Sequence, residues 1–280
     1  MRFNLAAQFR RARKPRRKVV TLRQIVAPAM FATDLYRAAY ADVIAAWERV
    51  LPDLLDIYAR TLASIQTDAP ADATARITRV QNELGTVFVG IRARLERWAA
   101  RIEAWQRGKW KAAVLSATSV DVSTLIGPGD VQETLGAVVE RNVALVSSVS
   151  DEARQRISEA VFRGFTNRTP AEEVGRELRQ AVDMGRRRAR NIAADQTVKL
   201  ASALNEERRR QAGITAWEWL HSAKLHPRQA HLARNHLLYS DDPDQVGEEA
   251  DGKTIHAPPA DRPGQLPYCG CTSRAVLILD

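Results

Sequence analysis

Cysteine is nearly missing from this chain: two of 280 residues, Cys269 and Cys271, both inside the segment PGQLPYCGC that spans 263–271. A chain of this length can bury a core without covalent staples, so a disulfide scaffold is not needed. A relaxed bridge between thiols one residue apart is also hard to close. Reduced thiols are the expectation, in a reducing compartment. Long apolar runs are missing too. Nowhere do about 18 uninterrupted apolar residues occur, so no membrane span is expected. The run IVAPAMFA (25–32) is short and broken by Pro28, a poor core for a signal peptide. No His-Glu-x-x-His pair, Gly-x-Ser-x-Gly elbow or Gly-x-x-x-x-Gly-Lys-Ser/Thr loop is present. A Cys269 nucleophile with a histidine base has only coexistence in its favour. The chain is expected not to be an enzyme.

Acidic residues are absent before Asp34, while Arg2, Arg10, Arg11, Arg13, Lys14, Arg16, Arg17, Lys18 and Arg23 precede it. The remaining 33 Lys and Arg balance the 33 Asp and Glu, so the net charge of +9 belongs to the N-terminus. Residues 1–30 read as a basic flexible arm. The stretch RRARKPRRK carries Pro15 and almost no apolar content, which predicts disorder when free. Its seven bases, Arg10, Arg11, Arg13, Lys14, Arg16, Arg17 and Lys18, suit a polyanion such as nucleic acid, bound through salt-sensitive phosphate neutralisation. A solvated tail and a targeting peptide are the other readings.

From Phe31 to about Gln66 apolar residues recur at threes and fours, as a buried helical stripe requires. Pro52 should kink this helix or begin a new one. A loop at QTDAPADAT, with Asp72 as a candidate N-cap, leads to a long helix over 73–118. Its arginines form a solvated face interspersed with Glu83, Glu96 and Glu103, and its tryptophans pack. After the turn IGPGD one or two helices follow. Then comes a helix opened by Thr169 and Pro170, and another from about Arg186 to Gln211 that stops at Gly213. The expected fold class is mainly α: a long helical body over 31–185 with a small C-terminal α+β domain over 186–280.

That last region opens with the β-like run ITAWEWL, which places Trp217 and Trp219 on one side of a strand, and ends in the apolar AVLIL. The 240–267 stretch between them reads as irregular. All the histidines lie here: His221, His226, His231, His236 and His256. The five-residue spacing of the first four keeps them from meeting one ion from a regular helix. Pro227 can start a short helix that puts Arg228 and His231 on a shared face. A tetrahedral zinc needs four N or S donors. Cys269 and Cys271 supply two, and His231 with His226, His236 or His256 would complete the set. Free thiols in a loop, beside histidines in ordinary hydrogen bonds, are the alternative.

From residue 186 onward the chain resembles the C-terminal domain of the bacteriophage Mu F-like minor head proteins, a head-morphogenesis family. ARNIAADQTVKLASALNEERRRQAGI looks like the family's helix, centred on Asp195-Gln196-Thr197 and closed by Gly213. A tryptophan-bearing strand and an Arg-x-x-His pair follow, here Arg228 and His231. PGQLPYCGC looks like the family's closing Cys-x-Cys segment. This chain has Asn235-His236 where members have an Asn-Gly turn. The resemblance covers about 95 residues, a third of the chain. It implies a virion component near the portal vertex, present in the host cytoplasm during assembly, without a known reaction. Its partners would be the portal or major capsid protein and, through the basic arm, packaged DNA. Arg228 and His231 would tie the strand region to the Cys269–Cys271 turn, through zinc or through bonds to backbone.

Overall fold

A computed structural model describes residues 3–12, 17–64 and 69–279. The chain is mainly α-helical, with a small sheet built mostly from its C-terminal region. The helices are α1 (Leu5–Ala12), α2 (Met30–Leu35), α3 (Ala41–Ser64), α4 (Ala69–Thr118), α5 (Gln132–Asn167), α6 (Ala171–Gln211) and α7 (Gln229–Ala233). The strands are β1 (Val19–Thr21), β2 (Ala216–Leu220), β3 (Leu238–Ser240), β4 (Glu249–Ala250), β5 (Lys253–His256) and β6 (Thr272–Ile278). They form one sheet in the order β1-β6-β2-β3-β5-β4, in which β3 and β5 are parallel and the other neighbours antiparallel.

The chain divides into two compact units, one of residues 32–98 and 139–194, the other of 1–31, 99–138 and 195–280. The first is helical. Trp47, fully buried, donates from its indole to Ser150 Oγ at 3.1 Å, and the Tyr58 hydroxyl donates to the Thr169 carbonyl at 2.6 Å. A Cβ at Gly164 would stand 2.8 Å from Val174 Cγ2 and 2.9 Å from the Tyr58 hydroxyl, so glycine is what allows this close approach. Pro52 neither starts nor ends a helix, because α3 runs through it from Ala41 to Ser64. The proline sits on the exposed side, while Trp47, Leu54 and Tyr58 keep the buried stripe continuous across it. Tertiary packing of that stripe outweighs the lost backbone bond. The arginines expected on a solvated face pair with acids: Arg76 with Asp53, Arg92 with Glu140 and Arg94 with Asp42. Asp72 lies in the first turn of α4 rather than at its cap.

The second unit corrects two expectations. A flexible arm over 1–30 is not what the described residues form. α1 buries Leu5 and Phe9, one turn apart, and β1 pairs with β6 in the register Val19–Ile278, Val20–Leu277, Thr21–Val276. The apolar pair at i, i+4 and the two valines are sufficient anchors, and the bases sit between them. Arg10, Arg11, Arg17 and Lys18 are exposed, whereas Arg13, Lys14 and Arg16 fall outside the described residues. Nor is the sheet-bearing unit limited to 186–280. Its core joins Leu5, Phe9, Leu22 and Ile25 to Trp110, Val114 and Ile126 and to Ala275 and Leu277, so three distant segments share one apolar cluster. Arg208, fully buried, ties α6 to the 103–127 region through Glu103 at 2.6 Å and the Gly127 carbonyl at 3.1 Å, and bonds Gln211 of its own helix at 2.8 Å. The helix boundary expected near Arg186 is absent because α6 runs unbroken to Gln211. Gly213 stops it at φ +68°, as an αL cap residue does.

Candidate metal centre

Strand β2 carries Trp217 and Trp219 into one buried cluster with Tyr239, Cys269 and Cys271. Trp217 stacks on Tyr239 with ring centroids 4.8 Å apart, and Trp219 meets the His231 ring edge-on at 5.1 Å. The other side of the strand presents Glu218, which is buried and ringed by His236, Lys253 and Arg274. Burial raises the Glu218 pKa, but the bonds from those three partners outweigh it and hold the carboxyl below its ordinary value. His231 comes from α7, and the turn after Gly264 brings up the cysteines, with Cys269 N bonded to the Leu266 carbonyl at 3.1 Å. Gly264 and Gly270 adopt φ of +81° and +84°. A Cβ on Gly270 would also lie 2.8 Å from Lys224 Cε, so glycine suits the position between the thiols twice over.

His231, Cys269 and Cys271 form a group able to hold a metal ion: one donor atom from each lies within 4.8 Å of the other two, and all three residues are buried. The His231 Nδ1 atom stands 3.3 Å from Cys269 Sγ and 3.7 Å from Cys271 Sγ. Two donors of a tetrahedral ion with bonds of about 2.3 Å to S and 2.05 Å to N would be about 3.6 Å apart, so the observed distances bracket the requirement. The sulfurs are also prepared for charge. Cys269 is drawn down to about 5, first by its bond with Cys271, against burial, and then by the backbone N–H groups of Cys271 and Gly264 and by the nearby His231. Cys271 is pushed up by sharing that bond, by burial and by the charge on Cys269. One proton thus leaves easily and the second is retained. A bound cation removes that second penalty, because it compensates both thiolates.

Asp195 and Arg228, both flagged in the sequence, converge on this turn from far apart in the chain. Asp195 Oδ1 accepts the Tyr268 N–H at 2.6 Å, directly before Cys269, while its Oδ2 takes Lys199 at 2.6 Å and Gln196 Nε2 at 3.1 Å. Gln196 and Thr197 are buried in α6. Arg228 donates to the Pro267 carbonyl at 2.9 Å, and Lys224 to that of Tyr268 at 2.6 Å. The tie between the Arg228 segment and the cysteine turn is therefore made directly, through backbone carbonyls.

No second histidine is drawn in as a fourth donor. His236 bonds Glu218 at 2.8 Å, the exposed His256 lies beside Tyr239 with ring centroids 5.9 Å apart, and His226 is exposed. His221 Nδ1 accepts the Ala223 N–H. His236 itself takes φ +64°, the left-handed conformation that an Asn-Gly turn would supply, and its N–H closes on the Trp219 carbonyl at 2.8 Å. A residue with a side chain thus holds a left-handed turn here.

Sequence reading missed Asp261. Its Oδ2 lies 2.8 Å from His231 Nε2, and its Oδ1 takes Arg234 at 2.7 Å. Burial raises the Asp261 pKa, but the hydrogen bond and charge of Arg234 bring it below its ordinary value. Nothing in the sequence marks an aspartate 30 residues from its histidine. Cys269, His231 and Asp261 together also match a thiol, imidazole and carboxylate nucleophile arrangement. The two cysteine residues, however, are only 4% and 2% exposed, a burial that suits a metal ligand better than a nucleophile that must meet a substrate.

No family model matches the chain, and no solved structure matches it. It is 20% identical over 175 residues to an uncharacterized protein of Haemophilus influenzae, an alignment covering 60% of this chain and 39% of that protein. The chain thus spans less than half the length of that relative.

Proposed function

We propose that this protein is a structural minor head protein of a tailed bacteriophage, acting near the portal in head assembly and in genome packaging or delivery. One zinc ion held by His231, Cys269 and Cys271 would close its sheet-bearing unit. The supporting observation is convergence. Asp195, Arg228, His231, Cys269 and Cys271, five of the residues that carry the resemblance to Mu F-like proteins, meet at one turn although they span 77 positions. Two thiolates and an imidazole suit zinc, which is redox-inert and accepts S and N donors in a tetrahedron. The fourth position is left to water or an added donor. Burial of all three residues makes the ion a clip that joins α7 to the segment before β6, and its binding energy becomes folding energy.

Two measurements test this reading. Metal analysis of protein purified under reducing conditions should return about one zinc per chain, and absence of zinc after metal repletion rules out the clip. Co-expression should recover the portal or major capsid protein with this chain. Failure to associate with either rejects the head-protein assignment.

A second reading, non-sequence-specific nucleic-acid binding, draws on the exposure of Arg10, Arg11, Arg17 and Lys18. Deleting the N-terminus would also remove the buried Leu5 and Phe9, so the informative variant replaces those four bases with glutamine. Its salt slope for DNA binding should fall by about one for each phosphate that is no longer neutralised. An unchanged slope dismisses this reading.

A further inference from the structure

We infer that Asp261, held by Arg234, is the positioning residue of the metal centre: it orients the His231 imidazole so that Nδ1 faces the two sulfurs. This rests on the metal reading above and adds to it a residue that is not itself a ligand. The two ring nitrogens have separate partners. Nδ1 stands 3.3 Å and 3.7 Å from the sulfurs, and Nε2 stands 2.8 Å from Asp261 Oδ2. A carboxylate on the far nitrogen lies across the ring from the donor pocket, which excludes Asp261 from the coordination shell and places it to accept the Nε2 proton. Neutral imidazole carries only one N–H. A proton kept on Nε2 therefore leaves the Nδ1 lone pair free for an ion, and the carboxylate raises that nitrogen's basicity.

The support behind Asp261 is itself fixed. Arg234 Nη1 donates to its Oδ1 at 2.7 Å, and the Arg234 guanidinium lies 5.1 Å from the centroid of the Trp219 ring, which in turn meets His231 edge-on. Histidine, aspartate, arginine and tryptophan form a closed circuit around one imidazole. Asp261 Oδ2 is buried and accepts no aligned hydrogen bond. His231 Nε2 is the group in close contact with it, and a small turn of the ring on binding a cation would complete the bond. α7 is a helix of five residues, too short to fix a side chain through its own packing, so the orientation must come from outside it.

The full chain carrying Asp261→Asn tests this. Zinc affinity, measured by competition with a chromophoric chelator, should weaken about 10- to 100-fold, and Asp261→Glu should recover part of the loss. Long-range proton–nitrogen correlations of the His231 ring give a second readout. Wild-type protein should show Nε2 protonated with and without zinc, and Nδ1 as the metal-bound nitrogen. Asp261→Asn should mix the tautomers in the metal-free state. Unchanged zinc affinity in the variant overturns the inference, as does metal on Nε2 or a lower melting temperature with no change in affinity. If the wild type binds no zinc, the metal reading fails. The tautomer of the metal-free ring then still decides whether Asp261 orients His231.

Discussion

Asp195→Ala should unlatch the cysteine turn. The Asp195 and Lys199 side chains are 9% and 11% exposed and meet at 2.6 Å, and the other carboxylate oxygen takes the Tyr268 N–H at 2.6 Å. Removing the carboxylate strands a nearly buried ammonium. Breaking a fully buried pair costs about 3–5 kcal/mol, and a hydrogen bond to a charged group contributes about 1.5–3 kcal/mol. Tyr268 is half exposed, so water can take over its N–H. Lys199 keeps a small opening to solvent, which places the expected cost at about 2–3 kcal/mol. In a unit of this size that corresponds to a melting shift of about 5–10 °C. Asp195→Asn, which retains an acceptor for Tyr268, should cost less. The decisive assay is a double-mutant cycle with Lys199→Met in denaturant unfolding, read alongside hydrogen exchange at the Tyr268 amide. A coupling of about 1 kcal/mol or more is expected for such a contact. Coupling below about 0.3 kcal/mol, with the Tyr268 amide equally protected in the variant, refutes the latch.

Phe9→Ala should lower stability by about 3 kcal/mol, since Phe9 packs in the core of the sheet-bearing unit, and a change within about 0.5 kcal/mol would restore the picture of a loose arm. Arg208→Met strips the buried Glu103 of one of its two arginine partners, leaving Arg107 at 3.0 Å, and should cost about 1.5–3 kcal/mol; adding Glu103→Leu should return most of that loss, and equal losses in both variants would show that the pair does not act as a unit. Gly164→Ala should destabilise the helical unit by about 1–3 kcal/mol through overpacking against Val174 and Tyr58, as measured by thermal unfolding. Acid should weaken the sheet-bearing unit. Burial raises the Asp241 pKa, but Arg209 and Arg262 lower it further, so its folded value lies below the ordinary 3.8. Its contribution is present above that pH and is lost as pH falls through the folded value. Stability measured from about pH 5 downward should therefore drop more steeply in wild type than in Asp241→Asn, and parallel curves would contradict the assignment.

Much of the helical body was legible because its information is local. Apolar residues at threes and fours mark a helix wherever they occur, and Gly213 stops α6 for reasons internal to glycine. The strand with Trp217 and Trp219 on one side was legible for the same reason: alternation is a property of neighbours. That α3 runs on through Pro52 instead of restarting there was not legible, because the proline's local cost is visible in sequence, whereas the buried stripe that overrides it is a tertiary quantity. The N-terminal bases hid the arm's anchors. Composition averages Leu5, Phe9 and Val19 into a charged background, but their burial depends on partners at 110–126 and 275–279.

The candidate metal centre divides along the same line. Residue chemistry alone nominated Cys269, Cys271 and His231, since thiols and imidazoles are scarce here and are the side chains a soft cation uses. Choosing His231 over His226, His236 and His256 on physical grounds required the folded chain, as did finding Asp261, Arg234 and Lys199. Donor identity is written in the side chain. Donor distance, the partner that holds a ring in place and the carboxylate that holds a turn arise only when segments some 30 to 70 residues apart are folded against one another.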